Sequence, residues 1–172
     1  MVKEHFGDGS QWGIEIRYLH ETQALGTAGA LSLLPEVPTL PIIVMNGDLL
    51  TKVNYRQLLD FHAEQHADAT MCIREYKFQV PYGVVKTNRY QLLGIDEKPE
   101  QRFFVSAGIY VFSSQVLEHV IPGEVLNMPA YFQGLVEQRY HVTTFPIREY
   151  WLDIGQMDDF KRAHGDYLDV FK

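Results

Sequence analysis

The chain has 172 residues, of which 46% are hydrophobic and 22% charged, and these proportions predict one soluble globular domain over residues 1–172. The formal net charge of −7 argues against a nucleic acid or an anionic membrane as partner, and no apolar run is long enough to cross a bilayer. The single cysteine, Cys72, cannot form an internal disulfide, which predicts a reducing, cytoplasmic location.

The first part of the chain predicts a turn followed by strands and a helix. Residues 7–10 read Gly-Asp-Gly-Ser, a turn cluster, and apolar side chains alternate in residues 13–18 as in a strand. Residues 22–34 predict a helix that ends at Pro35. Residues 41–45 are a short continuous apolar run, typical of a strand that is buried on both faces in a parallel sheet.

The rest of the chain predicts further strands and helices, with an antiparallel hairpin whose turn lies at residues 87–89. Asn127 and Pro129 are typical of the first residues of a helix, and Ser113 or Ser114 is placed to cap another. The predicted helices cover residues 54–67, 127–138 and 156–168. The predicted strands cover residues 69–76, 82–86, 90–95, 103–112, 140–147 and 150–152. This order indicates an α/β fold with a mixed sheet, whose ligand site lies at the carboxyl ends of strands.

Two acids follow or end predicted strands and are candidate metal ligands. Asp48 comes directly after the apolar run at residues 41–45, and Gly47 would let a ligand approach the backbone. Asp153 lies between large apolar residues, where a carboxylate is costly to bury unless a cation balances it. A shared Mg²⁺ would do so, because this ion favours one or two carboxylates plus phosphate oxygens. The alternatives are a solvated acid at Asp48 and a helix N-cap or turn acid at Asp153.

A lysine and a glutamate lie together at the end of the hairpin. Pro99 limits the movement of the chain around Glu97 and Lys98. Lys98 in this setting suits a phosphate and Glu97 suits a sugar hydroxyl, but a surface ion pair explains the same residues. Ser106 and Gly108 are small residues inside an apolar strand, which leave room either for a ligand or for tight core packing.

Two other groups of residues are less informative. The small residues of the segment Leu25-Gly26-Thr27 likewise leave room either for a ligand or for tight core packing. The segment fits neither a Walker loop nor a dinucleotide fingerprint. His62 and His66 have the spacing of metal ligands on one helix face. Both fall on the apolar stripe of the predicted helix and do not follow the metalloprotease order, so a zinc site is the weaker interpretation.

Taken in order, these segments resemble one family, the nucleotidyltransferases that activate sugar 1-phosphates. The motifs span nearly the whole chain: Gly7-Asp8-Gly9-Ser10-Gln11-Trp12-Gly13-Ile14, Leu25-Gly26-Thr27-Ala28-Gly29-Ala30, Val44-Met45-Asn46-Gly47-Asp48, Tyr82-Gly83-Val84-Val85, Glu97-Lys98-Pro99, Ser106-Ala107-Gly108-Ile109-Tyr110 and Trp151-Leu152-Asp153-Ile154-Gly155. The resemblance implies a Rossmann-like nucleotide-diphospho-sugar transferase fold with a mixed, mainly parallel sheet flanked by helices. It also implies nucleotidyl transfer from an NTP to a sugar 1-phosphate, with the second motif most similar to mannose-1-phosphate guanylyltransferases.

The resemblance further implies roles for individual residues. Asp48 and Asp153 match the family's metal-binding acids, and Lys98 completes the implied catalytic set. The implied substrate-binding residues match positions beside the sugar, its phosphate or the nucleobase: Leu25, Gly26, Thr27, Gly47, Gly83, Glu97, Lys98, Ser106 and Gly108. Mg²⁺ is the implied cofactor, and an NTP and a sugar 1-phosphate are the implied partners. Self-association into a homo-oligomer is left open.

Two departures from the family change what we expect of this chain. The family opens with a strand and a Gly-rich loop that carries an arginine, and no Gly-x-Gly-x-Arg occurs here. We therefore expect an N-terminally incomplete domain with little or no transferase activity by itself. Ser106 stands where the family often has asparagine. The alternatives are a regulatory module that binds a nucleotide or nucleotide sugar, and a glycosyltransferase, whose Asp-x-Asp motif is not matched by Asn46-Gly47-Asp48.

Overall fold

The computed structural model describes residues 1–155 and 157–171. They divide into two compact units, of which the first comprises Met1–Ile42 and Phe112–His141 and the second comprises Ile43–Val111 and the chain from Val142 onward. Among the described residues the α-helices are α1 (Val2–Phe6), α2 (Gly26–Gly29), α3 (Tyr55–Glu64), α4 (Ser114–Leu117), α5 (Met128–Glu137) and α6 (Met157–Val170). The strands are β1 (Ile42–Met45), β2 (Leu49–Thr51), β3 (Ala69–Gln79), β4 (Val84–Asn88), β5 (Gln91–Asp96), β6 (Glu100–Phe112), β7 (Val142–Pro146) and β8 (Trp151–Asp153).

Helix α5 organises the first unit. It begins where the sequence predicts, with Asn127 at the N-cap and Pro129 in the first turn, since proline lacks the N–H that would be unsatisfied there. Its buried face brings the rings of Tyr131 and Phe132 to 5.3 and 5.4 Å from the ring of Phe112. These aromatic pairs form the core of the unit and explain why α5 is ordered.

The strand predicted at residues 13–18 does not form. The chain instead folds back on the preceding turn, where the Ile16 amide donates to the Asp8 carbonyl at 2.7 Å and the Tyr18 hydroxyl donates to the Gly7 carbonyl at 2.6 Å. Gly13 has a φ of +69°, a left-handed conformation that is incompatible with a strand. The alternation of apolar side chains does not produce a strand here because, within the described residues, no neighbouring strand pairs with this segment.

The helix predicted at residues 22–34 is much shorter. It begins at Gly26 and is a single α-helical turn, α2, that continues as a 3-10 turn over Ala30–Leu33. The φ of Gly26 is +79°, so a right-handed helix cannot extend through this residue. Leu25 and the last two residues of α2 instead hydrogen-bond to Leu126, whose carbonyl accepts from the amides of Ala28 at 2.9 Å and Gly29 at 3.0 Å.

The second unit contains a four-stranded sheet and two separate two-stranded ribbons. The strand order of the sheet is β1-β6-β3-β7, and β3 pairs with β7 in parallel. The β2–β8 and β4–β5 ribbons are antiparallel, and the second is the predicted hairpin. The mixed sheet flanked by helices is thereby confirmed. Strand β1 lies at an edge of the sheet and is half-buried, not buried on both faces as predicted, because it has a described neighbour on one side alone.

Helix α3 packs on the sheet through its buried stripe. Asn54 caps the helix by accepting from the Gln57 amide at 3.1 Å, and the buried His62 lies 2.8 Å from the hydroxyl of Thr70 on β3. Burial lowers the pKa of His62. His66 lies beyond the helix with a φ of +50° and is exposed, so the two histidines do not share the apolar stripe.

The core of the second unit lies between α3, the sheet and the β2–β8 ribbon. Its buried residues are Val53, Leu58, Cys72, Ala107, Ile109, Val111 and Ile147. Burial raises the pKa of Cys72 to about 12, which makes this thiol a structural group and not a nucleophile. The closing helix is confirmed as α6, although Gln156, its predicted first residue, lies outside the described residues. No helix within the described part of the chain is long and apolar enough to cross a membrane.

Candidate functional site

The β2–β8 ribbon brings the two predicted metal ligands side by side. Its register places Leu49 opposite Asp153, and the amide of Ile154 donates to the carbonyl of Asp48 at 2.9 Å. Asp48 directly precedes the residue that pairs with Asp153, and the two acids are close enough for the negative charge of Asp48 to act on Asp153. Both are exposed, so their carboxylates are accessible to a ligand.

The negative charges around Asp153 favour the binding of a cation. Partial burial raises the pKa of Asp153, and the negative charges of Asp48 and then Asp159 raise it further. Two adjacent carboxylates supply the oxygen donors that Mg²⁺ prefers, so Asp48 and Asp153 fit such an ion. Within the described residues no set of three or more His, Cys, Asp or Glu side chains is placed to hold a metal. Other ligands of such an ion would have to come from substrate and water.

Asp153 lies in an open cleft of about 530 Å³. The other residues that line it are Tyr76, Val105, Trp151, Leu152, Gly155 and Asp159. This volume is within the range of small-molecule sites, and the lining combines aromatic surface with carboxylates. A polar ligand that carries a ring, such as a sugar, is suited to this combination.

Strand β6 supplies the wall next to the acids, and two contacts hold it there. The indole Nε1 of Trp151 donates to the carbonyl of Ala107 at 2.9 Å, which ties β8 to β6. The amide of Asn46 donates to the carbonyl of Gly108 at 2.9 Å. Gly108 has a φ of +69°, and a Cβ there would lie 2.8 Å from the side-chain nitrogen of Asn46. Glycine is therefore required by the close approach of the segment that carries Asp48.

The remaining small residues of this region differ in their surroundings. Ser106 is exposed, and its hydroxyl lies 3.0 Å from the hydroxyl of Tyr110 and accepts from the Gly108 amide at 3.4 Å. Gly47 is exposed, and no atom lies within 4 Å of the position that a Cβ would take. The space beside the Gly47 backbone is therefore open, and the predicted approach of a ligand there stays a prediction.

A second group of predicted site residues lies at the base of the β4–β5 ribbon. A Cβ on Gly83 would lie 3.1 Å from Oε2 of Glu97, so the structure brings these two predicted substrate-binding residues together. Lys98 has a φ of +44° in the turn between β5 and β6, and its carbonyl accepts from the Gln79 side chain at 3.4 Å. Within the described residues no ion pair occupies the Lys98 ammonium, which makes it available to an anion.

The segment Leu25-Gly26-Thr27 lies in the first unit and has a clear structural role there. A Cβ on Gly26 would lie 2.7 Å from the Leu126 carbonyl oxygen and 2.7 Å from Oδ1 of Asn127. The hydroxyl of Thr27 accepts from the Met128 amide at 2.8 Å, at the N-terminus of α5. The predicted contact of these residues with a nucleobase stays a prediction.

Sequence reasoning missed three residues of the site. Asn46 and Trp151 stand inside recognised motifs, but their contacts with β6 connect residues far apart in the chain. Asp159 affects Asp153 because α6 begins just after β8. The sequence signal for Asp159 was its place in the first turn of a predicted helix, where acids are favoured by the helix dipole.

Comparison with known proteins places this arrangement in context. Residues 1–170 match the model of the family described as Nucleotidyl transferase. The chain is 31% identical to mannose-1-phosphate guanylyltransferase catalytic subunit beta of Drosophila pseudoobscura pseudoobscura over 98% of its own length and 47% of that protein. It is 30% identical to mannose-1-phosphate guanylyltransferase of Mycobacterium tuberculosis over 98% of its length and 48% of that protein. The chain thus spans about half the length of these curated relatives.

Solved structures share the fold at lower identity. A Bacillus anthracis structure in complex with a sucrose, assigned as a glucose-1-phosphate thymidylyltransferase, superposes with a TM-score of 0.72 at 22% identity, over 98% of this chain and 72% of that one. HddC from Yersinia pseudotuberculosis, complexed with GMP-PN, gives a TM-score of 0.63 at 18% identity over 95% of this chain and 74% of that one.

Proposed function

The chain belongs to the nucleotidyl transferase family, and on that premise we propose that it takes part in transfer of a nucleotidyl group from an NTP to a sugar 1-phosphate. The observation that carries this proposal is the β2–β8 ribbon, which holds Asp48 and Asp153 side by side. Mannose 1-phosphate and GTP are the proposed substrates, because curated relatives at 30% and 31% identity are mannose-1-phosphate guanylyltransferases.

We propose that Asp48 and Asp153 hold Mg²⁺, which when bound neutralises charge on the phosphates. The protein's own part is positioning, which is the main requirement of phosphoryl-group chemistry. Lys98, free of a protein ion pair in the described chain, orients the anionic sugar phosphate. Glu97 beside Gly83 accepts from a sugar hydroxyl, and the open backbone at Gly47 admits the ligand.

Binding experiments separate this proposal from its alternatives. We expect GDP-mannose with Mg²⁺ to bind in a calorimetric titration more tightly than dTDP-glucose or UDP-glucose. Asp153→Asn should weaken the binding about tenfold or more, since it removes a charged ligand of the cation. Asp158→Asn is the matched control, because Asp158 is an exposed acid in the first turn of α6. Equal losses in the two variants would refute the acid-pair assignment.

A second candidate is a module that binds a nucleotide or nucleotide sugar without catalysis, for which the acid pair and the open backbone at Gly47 would suffice. Pyrophosphate release from GTP and mannose 1-phosphate decides between the two. Binding of GDP-mannose without release supports the module, and release that Asp153→Asn abolishes supports the enzyme. The cytoplasmic location is also a proposal, supported by the single, buried, unpaired Cys72.

A further inference from the structure

A second cleft in the same unit has a charge opposite to that of the acid pair. Its volume is about 670 Å³, and none of the residues that line it also lines the cleft of Asp153. The lining residues are Arg74, Glu75, Lys77, Phe104, Pro146, Ile147 and Arg148. Three cations and one carboxylate meet here, in a chain whose formal net charge is −7. Such a local excess of positive charge attracts anions.

The guanidinium of Arg74 is held in place by the protein. Its Nη1 donates to the carbonyls of Ile147 at 3.0 Å and Glu149 at 2.8 Å, and the residue is half-buried. Those bonds use both protons of Nη1 and leave the N–H groups of Nε and Nη2 for a ligand. A guanidinium fixed in this way loses little conformational entropy when it binds an anion.

The other charges of the cleft leave a positive excess. Its one carboxylate, Glu75, is paired with Arg102 at 3.4 Å. Lys77 has a loose, exposed ion pair with Glu100 at 3.6 Å, a type of pair that contributes little and is easily exchanged. The exposed side chain of Arg148 has no ion pair within the described part of the chain. Arg148 and Arg74 are thus the two cations available to an incoming anion.

The cleft lies where α/β sheets bind ligands. Strands β3 and β7 are parallel, β7 ends at Pro146, and the next amide, of Ile147, donates to the carbonyl of Ile73 at 2.9 Å. Arg148 follows directly, so the cationic group surrounds the carboxyl end of this parallel pair. Phe104, which is 71% exposed, adds a free aromatic face to the same cleft.

We propose that this cleft binds a phosphorylated small molecule, of the nucleoside diphosphate class, separately from the acid pair. The phosphates lie on Arg74, Arg148 and Lys77, since guanidinium groups match phosphate oxygens in pairs. The base stacks on Phe104, an interaction open to any base. The volume fits such a ligand, because small-molecule sites fall between about 300 and 1,000 Å³. The proposal does not depend on the proposed nucleotidyl transfer.

The test uses the full chain with EDTA and low salt, so that no divalent cation bridges phosphates to the acid pair. GDP and inorganic pyrophosphate are titrated in separate calorimetric experiments. Arg148→Glu should weaken the binding of both probes about tenfold or more. Arg89→Glu makes the same charge change at the exposed hairpin turn and should leave both affinities within about twofold. Phe104→Ala should weaken GDP and not pyrophosphate.

Each result has one meaning for the proposal. No binding of either probe at millimolar concentration, or equal losses in Arg148→Glu and Arg89→Glu, overturns it. Losses of the same size in Asp153→Asn also overturn it, because the probes would then occupy the acid pair. Equal affinity for GDP and pyrophosphate would mean that the cleft recognises only the phosphates. That result overturns the proposal that it binds a nucleoside diphosphate. Backbone NMR shifts on GDP addition that cluster at Lys77, Phe104 and Arg148 support the site directly.

Discussion

The two antiparallel ribbons of the second unit carry different halves of the candidate site and are built in different ways. The β2–β8 ribbon packs into the core through Leu152, which is 6% exposed, and through the half-buried Leu49 and Trp151. The β4–β5 ribbon keeps its apolar side chains in solvent, with Leu93 62% and Ile95 59% exposed. A lone two-stranded ribbon of this kind is marginally stable in water.

This contrast separates a fixed element of the site from an adaptable one. The positions of Asp48 and Asp153 follow from core packing, so they exist before any ligand binds. Glu97 and Lys98 depend on a turn whose backbone is strained at Lys98 and on the exposed ion pair of Lys86 with Asp96 at 2.7 Å. We expect ligand binding to change the protection of the β4–β5 ribbon against hydrogen exchange more than that of the β2–β8 ribbon.

The largest expected difference is in the free energy of unfolding after truncation of one leucine in each ribbon. Leu152→Ala should destabilise the protein by about 2–5 kcal/mol, because it leaves a cavity in the core. Leu93→Ala, at an exposed position, should cost about 0.5 kcal/mol or less. Urea denaturation measures both values. Similar losses in the two variants would mean that the ribbons are equally packed and would remove the contrast.

A smaller effect tests the strain at Lys98. Its φ of +44° is unfavourable for any residue with a Cβ, so Lys98→Gly should be more stable than Lys98→Ala by about 1 kcal/mol. Both variants lack the cation, and we expect both to bind the sugar phosphate equally poorly. Urea denaturation and calorimetry of the pair separate the two effects. An alanine variant as stable as the glycine variant would show that the turn relaxes without cost.

The smallest expected effect is a pH dependence that comes from Asp153. Because the folded-state pKa of Asp153 is raised above the ordinary value of an aspartate, the folded chain loses stability as pH rises through the window between the two values. The loss persists at higher pH. The Asp153→Asn variant has no ionisable group at this position and so does not lose stability in this way. It should be more stable than the wild type at pH 7, by about 0.5 kcal/mol or less for an exposed group.

Unfolding of both proteins is followed from pH 3 to pH 8 without divalent cations, and the two curves should meet at the acidic end. A wild type that is the more stable protein at pH 7 would contradict like-charge repulsion between Asp48 and Asp153. Addition of Mg²⁺ should stabilise the wild type and leave Asp153→Asn unchanged, as expected if the cation binds between the two carboxylates.

Local sequence signals predicted the elements whose causes are local. Asn54 and Asn127 occupy the N-cap positions of α3 and α5, and the predicted hairpin forms as β4–β5 with its turn at residues 89–90. Residues 13–18 have the alternation of a strand, but strand formation needs a partner, and partners are a tertiary property. The positive φ of Gly26 likewise follows from its docking on Leu126, which no local pattern indicates.

For the candidate site as well, the sequence predicted individual residues but not how they come together. Asp48 and Asp153 were recognisable from their motifs, and the resemblance to mannose-1-phosphate guanylyltransferases is confirmed among the relatives. Their mutual proximity depends on the register of β2 with β8, which joins residues about a hundred positions apart. The roles of Asn46 and Trp151 depend on the same long-range pairing. The cationic cleft has no sequence motif, because its residues come from three separate strands or their ends.

The indole contact of Trp151 has an optical consequence. The chain contains two tryptophans, of which Trp12 is 51% exposed in a 3-10 turn of the first unit, while Trp151 is half-buried in the cleft of Asp153. Tryptophan emission responds to the polarity and hydrogen bonding of the ring. The Trp12→Phe variant would therefore emit from the site alone, and the protein carries its own fluorescent reporter of occupancy without any added label.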